Sequence, residues 1–427
     1  MTVKDYRDDE ISGATPLARD AFERALDMHL SWRTGAESQL DQAVLEAPAF
    51  TMAHVLRAYL FLCSRDVARV RLAQAAYARA AALPANPRER LHVAAIRAAL
   101  ADDFTTFNAL VHSLLEQYPR DVLALQVGHA VDYLTGDTET MEARIAAVLP
   151  AWSPGAPGYH AVLAMHAFSL VEGAHYEAAT DRGLWALDLN PADARAHHAL
   201  THVYEMTDQA LTGARWMRDR LDLWSVGTVS ATHSWWHWAL FHLAQAEVSA
   251  ALELYDRRIR VGRSLEVADM IDAASLLWRI ELLDVDTAAR WLELASGWAE
   301  HIEDAYCTFG DVHAMLALVG ARDCKAAGRL EGALLRRQAL DTRYGITTSL
   351  VGLPACRALV AFGRGDYARA TKLLRAIPSV ARKIGGSHAQ RDLLYLTLLE
   401  AVRRLRRPQA SVPIYGRGRR RRPLPRH

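Results

Sequence analysis

Cysteine is scarce in this sequence of 427 residues. Its four cysteines form neither a CxxC pair nor a zinc-finger spacing: Cys63, Cys307, Cys324 and Cys356. A disulfide framework and a thiolate metal site are therefore excluded. Four reduced thiols are typical of a cytoplasmic protein, and we expect that location.

Long apolar runs and a leader-like start are also missing, although hydrophobic residues make up 51% of the chain. No stretch approaches the roughly 20 apolar residues of a membrane span. The first ten residues, MTVKDYRDDE, are charged where a signal peptide needs an apolar segment. We therefore expect no membrane partner.

The common catalytic signatures are absent as well. The sequence has no HExxH, no glycine-rich phosphate loop and no GxSxG, which excludes the usual signatures of zinc proteases, nucleotide-binding enzymes and serine hydrolases. It also lacks CxxCH, which argues against covalently attached haem. If the protein catalyses a reaction, its catalytic residues do not form one of these common motifs.

Charge of one sign is concentrated at one end. The net charge is +1, but residues 403–427 hold ten arginines and no acid, so the remainder carries 40 basic and 49 acidic side chains, a net −9. With four prolines, residues 407–427 are predicted to form a disordered basic tail. No recognition helix or aromatic platform accompanies the tail, so we expect no nucleic-acid partner beyond weak tail contacts. Arginine outnumbers lysine by 46 to 4, a bias typical of a GC-rich bacterial genome.

What the sequence does contain is a repeat. In FSLVEGAHYEAATDRGLWALDLNPAD, Gly173, Tyr176 and Ala179 open a second helix that Asn190-Pro191 ends. This is the small-residue, aromatic and terminal-proline pattern of a tetratricopeptide repeat, whose period is about 34 residues. AFGRGDYARATKLLRAI repeats it, and Pro87, Pro119, Pro150 and Pro191 are expected to end successive repeats.

The predicted fold is all-α: a tetratricopeptide-like α-solenoid of superhelical helix pairs. A chain of this length exceeds a single globular core of roughly 250–300 residues, and no linker separates domains. The predicted organisation is an N-terminal extension (1–15), one continuous solenoid (16–406) of about eleven helix pairs with a turn-rich insertion at 151–158, and the tail (407–427).

Histidines recur in register with this repeat. His198 and His202 lie at i and i+4, with Glu205 a turn further on, and His233 and His237 repeat the spacing exactly 35 residues later. Each set therefore projects from one helical face, at equivalent positions of consecutive first helices. One period beyond His237 stands Asp272, and the remaining acids and histidine of this series are Asp269, Asp311 and His313.

This face favours a metal or an acid–base site. First helices of such repeats line the concave groove, and neighbouring axes about 8–10 Å apart let facing imidazoles share an ion. Histidine with carboxylate is the ligand set of zinc, iron or manganese, and His198, His202, His233 and His237 are the candidate ligands. The alternative is a set of polar residues hydrogen-bonded along a groove wall.

The same positions carry a family resemblance. The segments are HHALTHVYEM, THSWWHWALFHLAQAEVSAALELYDRRI, DMIDAASLLWRIEL, FGDVHAMLAL, VGLPACRALVAFGRGDY and IGGSHAQRDL. Over about residues 159–400 the chain resembles the tetratricopeptide repeat protein 38 family. The resemblance implies a helical repeat fold and a residue set without an assigned reaction, and His166 falls outside that set. The set comprises His198, His202, Glu205, His233, His237, Asp269, Asp272, Asp311, His313, Arg391 and Asp392.

Two functions follow from these observations. The first is a repeat-binding protein whose concave groove holds a peptide or small molecule against the histidine and carboxylate face. The second is an enzyme that uses the face as a metal or acid–base site on a small molecule. Arg391 is either a clamp for an anionic group or half of an Arg–Asp pair that fastens the last helix. The sequence leaves homo-oligomerisation open.

Overall fold

The protein, described by a computed structural model over residues 3–64 and 66–406, is an all-α, tetratricopeptide-like solenoid. Within these described residues, ten antiparallel helix pairs follow one another. The first helices of the pairs are α1 Pro16–Leu30, α3 Thr51–Leu62, α5 Pro87–Leu100, α7 Val122–Thr135, α9 Tyr159–Glu172, α11 Ala194–Met206, α14 Ala231–Ala244, α16 Val267–Glu281, α18 Thr308–Gly320 and α21 Leu353–Gly363. The second helices are α2 Ala36–Glu46, α4 Val67–Ala81, α6 Phe104–Gln117, α8 Thr138–Val148, α10 Tyr176–Leu189, α12 Ala210–Arg218, α15 Val248–Leu254, α17 Ala288–Trp298, α19 Cys324–Arg337 and α22 Tyr367–Leu374.

In the part of the chain that the structure describes, three α-helices stand outside the pairs. Two are short connectors, α13 (Leu221–Ser225) and α20 (Arg343–Thr347), and the third is the long final helix α23 (His388–Leu405). Two short strands, β1 (Val3–Lys4) and β2 (Glu10–Ile11), pair antiparallel before α1. The tail predicted at 407–427 lies outside the described residues.

The predicted helix-pair repeat is confirmed, but one residue has a role other than the one expected. From α1 to α16 the first helices begin 35–37 residues apart. Ala179 and Ala186 are fully buried on α10, and Asn190 caps its end, as the small-residue pattern requires. Pro87 has a different role from the one expected: it is the first residue of α5, where Asn86 and Glu89 form a capping box. A proline costs nothing there because that N–H would be unpaired anyway.

The helix pairs form two layers with different burial. All of α9 except His160 is buried, whereas α10 buries only Ala179, Gly183 and Ala186. A helix that is apolar all round must be enclosed on every side. The first helices are therefore the inner wall of the solenoid and the second helices its outer layer.

Successive turns of the superhelix touch. Residues 32–34, after α1, pair through their backbone with residues 227–229, before α14. On the following repeats Arg69 pairs with Glu266 at 2.9 Å, and Arg337 with Asp102 at 2.5 Å. Repeats six apart are thus in contact, and the inner wall is closed laterally.

The final helix α23 lies against this inner wall. Trp278 of α16 donates to Thr397 at 2.8 Å, and Tyr133 of α7 donates to Gln390 at 2.7 Å. At the start of α23, Arg391 pairs with Glu172 of α9 at 3.2 Å. Because α23 spans first helices of several repeats, the expected concave face is covered along this stretch by the chain itself.

One helical stretch corrects the expectation about apolar runs. Arg343–Gly363, which spans α20 and α21, has 21 residues and contains an 18-residue window with a mean hydropathy of 1.4, so it is long and apolar enough to cross a membrane by length and composition. Two thirds of that window (67%) is buried inside the protein, as in the core helix of a soluble protein.

Candidate metal centre

The cluster sits on two neighbouring inner helices whose starts are both fixed. Asp193 caps α11 by accepting from the backbone N–H groups of residues 195 and 196. The segment before α14 is held by backbone pairing to residues 32–34. Capping and strand-like pairing fix the rotation of each helix, and hence the direction in which its histidines project.

Four imidazoles converge between α11 and α14. His198 Nε2 lies 3.0 Å from His202 Nε2 and 3.1 Å from His233 Nε2. The rings of His202 and His237 are 4.4 Å apart between centroids. One nitrogen from each of the four side chains lies within 4.8 Å of the others. The structure therefore brings together all four candidate ligands, and they share one small volume.

Two carboxylates set the orientation of two of these rings. His233 Nδ1 lies 2.9 Å from Asp272 and His237 Nδ1 lies 2.8 Å from Glu205. A carboxylate accepts, so each Nδ1 carries a proton, and in a neutral ring of this tautomer Nε2 keeps its lone pair. Such carboxylate–histidine contacts are typical of the second shell of metal sites.

Three of the four imidazoles are neutral: His198, His202 and His237. Burial, followed by the repulsion of neighbouring histidines, holds the pKa of His198 and His202 well below the usual value. Burial does the same for the pKa of His237, and the proximity of His233 and Arg279 adds to it. Neutral rings are the form that binds a metal, because protonated imidazole has no lone pair to offer.

These residues fit a metal ion. His237 Nε2 is buried and has no hydrogen-bond partner among the described residues, although its lone pair points into the cluster. At Zn–N bonds of about 2.0–2.1 Å, tetrahedral ligand nitrogens lie roughly 3.4 Å apart. The Nε2 separations of 3.0 and 3.1 Å are close to that value. A bound ion would accept the lone pairs of these buried nitrogens, which are otherwise costly to leave without a partner.

The cluster is sealed on one side and reaches solvent on the other. Phe168 stacks on His198 and Trp236 on His233, with ring centroids 5.5 and 5.2 Å apart. The side chains of His233 and Glu205 are each 19% exposed, whereas that of His237 is fully buried. An ion or small ligand would therefore approach from the side of His233 and Glu205.

The other predicted site residues have different surroundings. Asp269 is half-buried, and its pKa is raised mainly by burial. Burial raises the pKa of Asp311 to about 8, and Cys356 Sγ lies 3.9 Å from the Asp311 carbonyl. His313 Nδ1 donates to the Phe309 carbonyl at 2.7 Å.

Arg391 and His166 also lie apart from the cluster's ligand contacts. Arg391 is buried in an ion pair with Glu172, a partner that sequence reasoning did not name. His166 is buried on α9, where burial lowers its pKa to about 4.

Sequence reasoning missed two residues beside the cluster. Arg195 stands three residues before His198 on the same helical face, and this i, i+3 spacing was a usable signal. Trp32 lies 5.1 Å from His198 between ring centroids. It arrives from 166 positions earlier in the chain, so no local pattern indicates it.

No family model matches the chain. Among solved structures, it is similar to the tetratricopeptide repeat domain of P58(IPK), with 14% identity over 91% of this chain and 98% of that one, at a TM-score of 0.21. At that score the two do not superimpose as whole folds, so the helix packing described above carries the assignment of the fold. Membership of the tetratricopeptide repeat protein 38 family stays a prediction.

The anchor of α11 predicts a pH-dependent stability. Burial opposes protonation of His160, but its hydrogen bonds to Asp193 (2.7 Å) and Asp27 (3.4 Å) outweigh burial and raise the pKa of His160 to about 9. A histidine whose pKa is higher in the folded than in the unfolded state stabilises the folded state. This stabilisation is complete below the unfolded-state pKa near 6.5 and is lost as the pH rises through about 9. His160→Gln should therefore cost about 2–3 kcal/mol at pH 6 and close to nothing above pH 9.5 in urea unfolding.

His112 supplies the matched control for that experiment. It pairs with Glu116 at 3.3 Å, but its side chain is 72% exposed. His112→Gln should leave the pH profile of the unfolding free energy unchanged. A His160→Gln penalty that is independent of pH would contradict the assignment.

Proposed function

We propose that this protein is a metalloprotein whose solenoid holds one divalent transition-metal ion on His198, His202, His233 and His237. The observation that carries the proposal is the convergence of one nitrogen from each of four imidazoles within 4.8 Å. The contacts of Asp272 and Glu205 to Nδ1 direct two of the Nε2 lone pairs inward. Neither a core packing role nor a groove wall requires that arrangement.

The ligand chemistry narrows the choice of ion. Imidazole nitrogen suits zinc, iron, copper and nickel, whereas manganese prefers carboxylate and water oxygen. Of the three ions considered from the sequence, zinc and iron fit four imidazoles best. Asp272 and Glu205 supply negative charge close to the ion, and this offsets the nearby Arg279.

Partial exposure favours a second role for the same centre, as an enzyme site for a small molecule. The side chains of His233 and Glu205 are the parts of the cluster that meet solvent, so a substrate atom can approach the ion there. Four histidines complete a tetrahedral set, so this role requires a fifth coordination position, at which the ion would polarise a bound oxygen or activate water. The partner we propose is a small molecule in the cytoplasm rather than a peptide, because α23 covers the inner wall that a peptide would need.

Metal analysis tests the proposal directly. Protein purified without added metal or chelator should contain about one equivalent of zinc or iron by elemental analysis. After chelation, Co²⁺ should restore one equivalent and give the visible absorption of a nitrogen-ligated ion. Protein that is metal-free as purified and takes up neither Zn²⁺ nor Co²⁺ at micromolar concentration would overturn the proposal.

A further inference from the structure

A buried arginine next to the metal centre has no counter-ion. Arg195 is 4% exposed, its Nε donates to the Leu30 carbonyl at 3.1 Å, and its Nη2 has no partner among the described residues. The nearby Asp193 already binds two backbone N–H groups and His160. Within residues 3–64 and 66–406, no carboxylate forms an ion pair with the Arg195 guanidinium.

This guanidinium is charged. Burial lowers the pKa of Arg195 to about 10, which still leaves it protonated at neutral pH. A buried charge is normally paired, because its lost hydration must be replaced by an opposite charge or by hydrogen bonds. The residues around Arg195 supply too few opposite charges and too few hydrogen-bond acceptors.

The groups around Arg195 are neutral and weakly hydrogen-bonded. Burial lowers the pKa of His29 to about 4 and of His129 to about 3, and the charge of Arg195 adds to both shifts, against the interactions of His29 with Gln126 and of His129 with the Met165 backbone. Within the described part of the chain, the buried atoms His29 Nε2, Gln126 Oε1 and His129 Nε2 have no hydrogen bond of good geometry. Native interiors rarely leave several polar atoms unsatisfied in one region, and such a group indicates a missing ligand or water.

Trp32 connects this region to the metal centre. The Arg195 guanidinium lies over the Trp32 ring at 4.7 Å, and the same ring is 5.1 Å from His198. Trp32 has φ +57°, a left-handed conformation that is strained for a bulky side chain. Strain of this kind persists where the surrounding structure enforces it, and it clusters at ligand sites.

We propose that Arg195 binds the carboxylate of a small organic acid whose opposite end faces the four-histidine centre. The second half of this statement rests on the proposed metal site, and the first half does not. One guanidinium balances one negative charge, and its planar N–H groups match a carboxylate. Gln126, His29 and His129 offer further hydrogen bonds, and Trp32 is the apolar wall between the anion and the metal.

Acetate is the probe, and acetamide is its neutral isostere. In calorimetric titration at constant ionic strength, acetate should bind the wild-type protein and acetamide should not. Arg195→Met should weaken acetate binding by about tenfold or more, because a charge-assisted hydrogen bond is lost. If Arg195→Met fails to fold, Arg195→Lys serves instead, with weaker but measurable binding, since lysine keeps the charge and loses the planar fork.

Running the titration on chelated and on Co²⁺-loaded protein separates the two proposals. Acetate binding to chelated protein that depends on Arg195 supports the anion site whether or not a metal binds. A change in the Co²⁺ absorption on adding acetate, absent in Arg195→Met, supports the position beside the centre. Equal binding of acetamide, or acetate binding unchanged in the variants, would overturn the anion site while leaving the metal result intact.

Discussion

The double substitution His202→Ala/His237→Ala is expected to lower zinc affinity by at least about 10³-fold, because it removes two of four ligands from a buried site. His202 and His237 are both fully buried, and their ring centroids are 4.4 Å apart. Water cannot readily replace them, so the two remaining imidazoles would hold the ion weakly. Competition with a chromophoric chelator measures the affinity.

His166→Ala is the matched control for this experiment. It removes a buried histidine of the neighbouring inner helix α9 that is not one of the four proposed ligands. Its zinc affinity should equal that of the wild-type protein, even if both variants lose stability to the cavities left behind. Equal affinities for the double variant and the wild-type protein would show that these histidines do not bind the ion.

Removing the carboxylate that fastens the last helix should have the largest effect on stability. Glu172 pairs with Arg391 at 3.2 Å and accepts from the His388 backbone N–H at 3.1 Å, with side chains only 1% and 8% exposed for Glu172 and Arg391. Glu172→Ala leaves the Arg391 charge buried and unpaired, which costs about 3–5 kcal/mol. Urea unfolding measures the loss, and hydrogen exchange should show α23 losing protection first.

The same contact zone contains an exposed ion pair for comparison. Glu139 and Arg382 lie 3.6 Å apart with side chains 86% and 58% exposed. Glu139→Ala should change the unfolding free energy by no more than about 0.5 kcal/mol, since exposed pairs contribute little. Similar effects for both substitutions would mean that the buried pair does not fasten α23.

The helix pairs could be predicted from sequence because their determinants are local. Gly173, Tyr176 and Ala179 act within one helical hairpin, and the 35-residue period places each hairpin in an equivalent position. The convergence of His198 with His233 follows from the same two regularities, i to i+4 within a helix and one period between helices. In a repeat solenoid, the residues that face each other on adjacent helices can be inferred from their spacing in the sequence.

Sequence spacing does not predict contacts between repeats that are far apart in the chain. Three features join residues 110 or more positions apart: the covering of the inner wall by α23, the approach of Trp32 to His198 and the pairing of Glu172 with Arg391. These depend on the superhelical pitch, which sums small rotations at every helix interface and leaves no mark in any single segment. Asp311 and Arg391, chosen because of a resemblance, lie in environments that only this closure defines.

The sequence by itself thus determined the helix-pair repeat and the register of four histidines along it, because both follow from short-range geometry. The tertiary structure alone decided that the histidine face is enclosed rather than an open groove, and that Arg195 lies buried beside it without an ion pair to any of the described residues. Burial is a property of the whole superhelix. It turns a row of polar residues into neutral imidazoles and an unpaired guanidinium, and the chemistry proposed for this protein depends on that burial.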